Sequence, residues 1–148
     1  MKTYLEEGGL VVYPTSTLPG LGCLPITSGL DNLFATKNRP ESMPVSLGVA
    51  EMTQVEENVQ IPEFLSEFLS AFTKGGITTI LPAKKTLDAR LGGDNIAIRI
   101  FSHPDAISLA ENYGPITATS ANESGIKPEC NTETAARQLG IKKFIPGT

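Results

Sequence analysis

The chain has no tryptophan, one histidine and only two cysteines, and each scarcity removes a class of chemistry. His103 stands alone, and Cys23 and Cys130 are too far apart to form a Cys-x-x-Cys pair or a Cys-His cluster. A structural zinc site and a multi-histidine metal centre are therefore excluded, and no metal-ligating residue is expected. Two separated thiols without a secretory leader fit a reducing compartment, where both are expected to be buried and inert. Glu6 and Glu7 precede any apolar run, which is wrong for a signal peptide. The apolar stretches are far shorter than the ~20 residues of a membrane span. A cytoplasmic protein with no membrane association is the expectation. Basic charge is also not in surplus, since 12 Lys and Arg face 16 Asp and Glu for a net charge of -4. No long-range field favours polyanions, and any nucleic-acid contact must be local. There is no Walker A loop and no Gly-x-Gly-x-x-Gly, so a nucleotide would need some other cradle.

What is present is an ordinary globular balance, with 40% hydrophobic and 19% charged residues in 148. That supports one domain over residues 1–148, which needs neither disulfide nor metal to fold because it buries roughly 70% of its unfolded surface. Leu10-Val11-Val12-Tyr13 reads as a buried strand stopped by Pro14, with 15–22 as the loop after it. Helical spacing of Leu30, Leu33, Phe34 and Lys37 predicts a helix over 29–37, ended by Pro40. Strands are expected at 44–50, 77–81 (closed by Pro82), 96–100, 116–119 and 141–145. Helices are expected from Ile61-Pro62 through Phe64, Leu65, Phe68, Leu69 and Phe72, over 105–113, and over 132–140, the last with an N-cap, an early acid and a terminal glycine. Alternating strands and helices predict an α/β fold. Several connections are too short for parallel crossovers, so the sheet should be twisted and mixed parallel/antiparallel, with flanking helices.

Three polar clusters follow or flank strands, where α/β sheets usually bind ligands. Thr15-Ser16-Thr17 with Gly20 and Gly22 offers hydroxyls and backbone N–H groups to a carboxylate or phosphate, and equally suits a plain turn. Lys37-Asn38-Arg39 places two cations at a helix exit, where they either share one anion or simply complement the helix C-terminus. Ser120-Ala121-Asn122 puts a hydroxyl and a carboxamide on alternate positions after a strand, a pattern also ordinary in loops. Arg99 interrupts the run 96–100 and must reach either solvent or an anion.

These residues together resemble the YrdC-like family of threonylcarbamoyl-AMP synthases. The run Gly8-Gly9-Leu10-Val11-Val12-Tyr13-Pro14-Thr15-Ser16-Thr17-Leu18-Pro19-Gly20-Leu21-Gly22 is similar to its N-terminal signature, G-G-x-x-x-x-P-T-E-T-x-Y-G-L-G. Its Lys-x-Arg element appears as Lys37-Asn38-Arg39 with Pro44 beyond, and its Ser-x-Asn element as Ser120-Ala121-Asn122 with Ser124-Gly125 behind. The segments Gly75-Gly76-Ile77-Thr78-Thr79-Ile80-Leu81 and Ile96-Ala97-Ile98-Arg99-Ile100 complete the ordered match.

The resemblance implies a YrdC/RibB-like fold. It also implies a nucleotidyltransferase that joins L-threonine, bicarbonate and ATP, the last with Mg2+, into threonylcarbamoyl-AMP and pyrophosphate for tRNA modification, with tRNA or a tRNA-modifying transferase complex as partner. On that reading Lys37, Arg39, Ser120 and Asn122 carry the chemistry, and Thr15, Thr17, Thr78 and Arg99 bind substrate. Ser16 stands where the family has Glu and Pro19 where it has Tyr, which alters the wall of the amino-acid pocket. Cys130-Asn131 stands where the family often has Ser-Pro. The chain also stops at Thr148, ahead of a Ser-Thr segment and an Arg that the family uses to finish its ATP site; a non-catalytic nucleotide- or RNA-binding relative is the alternative.

Overall fold

The structure, a computed structural model, describes residues 1–58 and 78–147. Its elements in chain order are α1 (Lys2–Glu6), β1 (Val11–Tyr13), β2 (Gly20–Gly22), α2 (Thr27–Lys37), β3 (Ser46–Val49), α3 (Met52–Asn58), β4 (Thr78–Pro82), a 3-10 turn (Ala89–Leu91), β5 (Asn95–Ile100), α4 (Pro104–Tyr113), β6 (Ile116–Ser120) and α5 (Thr132–Leu139). The helix expected from Ile61 to Phe72 lies outside the described residues, as does Ile77 at the head of the next strand.

The strands form one six-stranded sheet in the order β1-β2-β6-β3-β5-β4. Only β3 and β5 run parallel; the other neighbours pair antiparallel. The mixed α/β sheet read from the short connections is the architecture observed. Strand β1 shows why helices cover both faces. Val12 packs with Leu30, Leu33 and Phe34 of α2 and with Ala135 and Ala136 of α5. Val11 and Tyr13 point the other way, to Leu5 of α1 and Ala106, Leu109 and Ala110 of α4. Each fully buried Leu in these clusters contributes roughly 2 kcal/mol of apolar burial. A third cluster joins β3, β4 and β5 through Leu47, Val49, Leu81, Ile96 and Ile98.

Helix ends follow local chemistry. The last turn of α2 closes on Asn38, left-handed at φ 53°, before Pro40 is reached. In α4 the His103 ring accepts from the Asp105 N–H at 3.1 Å, so Pro104 is the first helical residue. In α5 Asn131 Oδ1 caps the N-terminus by accepting from the Thr134 N–H at 3.1 Å, and Gly140 ends it at φ 73°.

Several expectations change. Gly20–Gly22 is a buried strand and not part of the loop, because it pairs with β1 on one edge and β6 on the other, and the Tyr13 ring leaves no room for a side chain at Gly20 or Gly22. The stretch 141–145 makes only one bridge, Val12 to Phe144, because its partner β1 is itself three residues long. β4 ends at Pro82, as expected, with Pro82 itself the last paired residue, which an edge strand tolerates because, among the described residues, no outer strand needs its missing N–H. Helices α1 and α3 carry too few periodic residues to be legible. Cys23 is buried, but Cys130 is exposed on the loop before α5. Among the described residues no helix is long and apolar enough to cross a membrane.

Candidate functional site

The β1–β2 connection, the end of β6 and the C-terminal end of β5 meet in a concave pocket of about 230 Å³. Its polar lining is Thr15, Thr17, Arg99, Thr119 and Ser120, and its apolar wall is Tyr13, Leu18, Phe101 and Ala118. That volume is below the roughly 300–1,000 Å³ typical of pockets for drug-sized ligands, so it suits an amino acid or a single phosphoryl group. Among the described residues no carboxylate lines it, and Arg99 supplies positive charge.

Each wall is held by the sequence next to it. Thr15 Oγ1 donates to the Leu18 carbonyl at 2.6 Å and accepts from the Thr17 N–H at 3.0 Å, a hydroxyl-stapled turn. This stapling sets the Thr17 hydroxyl 3.3 Å from that of Thr15 and 3.5 Å from Arg99 Nη2. The Ala121 N–H donates to the Pro19 carbonyl at 2.8 Å, tying the turn to the loop after β6. Tyr13 is fixed by a 2.8 Å bond from its hydroxyl to the Thr117 carbonyl and by edge-on packing with Phe101 at 5.6 Å. Burial raises its phenol pKa well above the ordinary value, so it stays neutral and is no proton carrier.

Lys37 is 2% exposed and turns inward from the end of α2. Its ammonium donates to the carbonyl oxygens of Ser120 at 2.6 Å and Asn122 at 2.8 Å. Burial, and secondarily the charge of Arg39, pulls its pKa down to about 8. Arg39 folds back on its own loop, with Nε donating to the Met43 carbonyl at 2.6 Å and Nη2 to the Pro44 carbonyl at 2.9 Å. Asn122 donates through Nδ2 to the carbonyls of Glu123 and Ile126, at 3.0 and 2.8 Å. Those two acceptors fix the amide orientation, because swapping its oxygen and nitrogen would face oxygen to oxygen. Its Oδ1 is then buried without a hydrogen-bond partner among the described residues, an acceptor of the kind a bound donor satisfies.

The fold therefore brings Thr15, Thr17, Arg99 and Ser120 to one pocket, with Lys37 and Asn122 directly behind Ser120. Thr78 pairs opposite Arg99 across β4 and β5 but is exposed and does not line the pocket. Arg39 likewise is not among the lining residues. Sequence reading missed Tyr13, Phe101, Ala118 and Thr119, which looked like plain strand or turn residues. For Thr119 the signal was available, since it continues β6 directly into Ser120.

Residues 3–145 match the Sua5/YciO/YrdC family model, described as telomere recombination. The chain belongs to this family. The threonylcarbamoyl-AMP synthase of Halorhodospira halophila is 33% identical over 150 residues, which cover 97% of this chain and 78% of that protein. The Bacillus subtilis threonylcarbamoyl-AMP synthase is 34% identical over 141 residues, 91% of this chain but 41% of that longer protein. Among solved structures, P. abyssi Sua5 complexed with L-threonine superposes with a TM-score of 0.89 at 30% identity. That match covers 99% of this chain and 45% of Sua5, so the chain spans less than half of that protein. E. coli YciO, at 23% identity and a TM-score of 0.84, shares the fold. For this Sua5/YciO/YrdC member the family resemblance and the mixed sheet read from sequence both stand.

Proposed function

We propose that this chain is a threonylcarbamoyl-AMP synthase, forming that adenylate and pyrophosphate from L-threonine, bicarbonate and ATP. The observation that carries the reading is the pocket where Thr15, Thr17, Arg99 and Ser120 converge, in a chain of which 97% aligns with a relative of that name.

The reaction has two parts. The threonine amine adds to bicarbonate with loss of water, giving a carbamate; a carbamate oxygen then attacks the α-phosphorus of ATP, and the bond to the β-phosphate oxygen breaks to release pyrophosphate. Charge grows on phosphoryl oxygens, and fixed cations and donors lower such a barrier without a nucleophilic side chain. Arg99, Thr15 and Thr17 are assigned to the threonine carboxylate and hydroxyl, with Thr78 supporting Arg99 from the neighbouring strand. Ser120 and Asn122 are assigned to the carbamate or α-phosphate, and Arg39, at the adjacent loop, to the phosphate chain once its carbonyl contacts are exchanged for it. Lys37 adds positive charge from behind Ser120.

Mg2+ would travel with the ATP phosphates. Among the described residues no group of three or more His, Cys, Asp or Glu is placed to hold a metal, and the pocket offers hydroxyls and a guanidinium in place of carboxylates. The described residues therefore do not fit a resident metal, and no step is routed through one. The product is destined for a transferase acting on tRNA, and the cytoplasm is the assigned location.

Pyrophosphate release from ATP, bicarbonate and Mg2+ tests the reading with each amino acid in turn. Threonine-dependent release that also requires bicarbonate supports it; release independent of either, or none at all from folded protein, sinks it.

A further inference from the structure

Lys37 has its ammonium held by backbone oxygens. Its side chain leaves the last turn of α2 and ends between two backbone oxygens, those of Ser120 and Asn122, that the loop turns toward one point. The same residue's own carbonyl accepts from the Ser124 N–H at 2.8 Å, so both its backbone and its side chain hold the loop. Within that loop the Asn122 N–H donates to the Ser120 carbonyl at 3.0 Å, a three-residue turn centred on Ala121. Two carbonyl dipoles converging on one point repel each other unless a cation or a strong donor lies between them. Ala121 in turn donates to Pro19, so the brace reaches the Thr15–Leu18 turn on the opposite pocket wall.

We propose that Lys37 is a positioning residue: its ammonium takes the place of a bound cation between the Ser120 and Asn122 carbonyls and so holds both pocket walls in register. What Ser120 and Asn122 then act upon rests on the synthase reading, but the brace itself does not. The charged neighbours are few. Arg39 lies beyond the end of the same helix and its charge disfavours the ammonium, while Glu123, the one carboxylate within 120–126, is exposed. A charge-assisted bond is roughly twice as strong as its neutral counterpart, so loss of the Lys37 proton loosens both contacts at once. The pocket then has an alkaline limit that no ligand-contacting group imposes.

The test is a pH titration of 15N-labelled protein from about pH 6 to about pH 10, following the backbone amides of Ser120, Ala121 and Asn122. The wild type is expected to move all three together with a midpoint near the Lys37 pKa of about 8. Lys37→Met should give the alkaline positions at every pH, and Lys37→Arg, which keeps its charge, should show no midpoint in the range. Flat wild-type signals, or an inflection that survives in Lys37→Met, overturn the assignment. Should Lys37→Met fail to fold, disappearance of the inflection in Lys37→Arg supports the proposal and its persistence overturns it. In turnover, Lys37→Met is expected to lower kcat by about 100-fold with a smaller change in KM for L-threonine, as for a misplaced reacting group. A wild type that titrates as described yet releases no pyrophosphate would refute the synthase reading while keeping the brace.

Discussion

The ring of Tyr13 stands where a side chain on Gly20 would have to go: a Cβ there would lie 2.6 Å from the ring's Cζ, closer than packed carbon atoms approach. Strands β1 and β2 pair these residues directly, and a methyl group can be admitted only if the ring moves toward the pocket it lines. Gly20→Ala is therefore expected to destabilise the fold by about 1–3 kcal/mol through overpacking. It should also weaken L-threonine binding. Urea unfolding and calorimetry check the two effects; an unchanged midpoint would show that the sheet can absorb the methyl group.

Arg90 is buried and donates to Asp88 at 2.9 Å and to Asp31 at 2.5 Å, and its guanidinium lies 5.8 Å from the centre of the Phe34 ring. Its hydrogen bonds hold the Asp88 carboxyl below the ordinary carboxylate range. Because the folded-state pKa is depressed, this contribution is fully present above the unfolded value of about 3.9 and is lost as pH falls through the folded one. Arg90→Met should lower the urea midpoint at neutral pH and flatten its decline between about pH 5 and about pH 2. An equally steep acid limb in the variant would remove Arg90 from that role.

The two thiols should react very differently. Cys130 is exposed, whereas Cys23 is buried, mainly by which its pKa is pushed up to about 12. Thiolate is the reactive form, so a chromogenic disulfide reagent at neutral pH should titrate one thiol in the native protein and the second only on unfolding. Rapid modification of both in the native protein would contradict the burial of Cys23.

Arg99 and Thr17 share the pocket and stand 3.5 Å apart. If they seat the threonine carboxylate, Arg99→Gln should weaken L-threonine binding by about tenfold to hundredfold, the value of a charge-assisted bond. Thr17→Val should cost less. Calorimetric affinity read beside kcat distinguishes seating from catalysis: an affinity left intact with kcat reduced would move Arg99 to the phosphoryl end of the site.

Much of this protein was legible along the chain. Short β-branched runs marked β1, β5 and β6 and alternation marked β3, because the faces that a strand turns to the core have little room for polar residues. The spacing of Leu30, Leu33, Phe34 and Lys37 marked α2, because one face of that helix is buried and its residues recur every three to four positions. Failures arose where neighbours distant in sequence decide the outcome. Gly20-Leu21-Gly22 has turn composition and becomes a strand because Tyr13 needs the space and β6 offers hydrogen bonds on its other edge. Lys37 read as a cation at a helix exit, either sharing an anion or complementing the helix C-terminus, but the Ser120 and Asn122 carbonyls, 83 and 85 residues away, receive it in the interior.

By itself the sequence determined the α/β class, the mixed sheet and the identity of the polar groups available for chemistry, since these depend on periodicity, loop length and residue type, and it carried the family in the order and spelling of its motifs. Tertiary structure alone decided which of those groups share a pocket: Thr15, Thr17, Arg99 and Ser120 do, whereas Thr78 and Arg39 stand outside its lining. The reason is that strand order and register, set by long-range burial and backbone pairing, place residues from three separate segments side by side, and nothing local in any one segment encodes that neighbourhood.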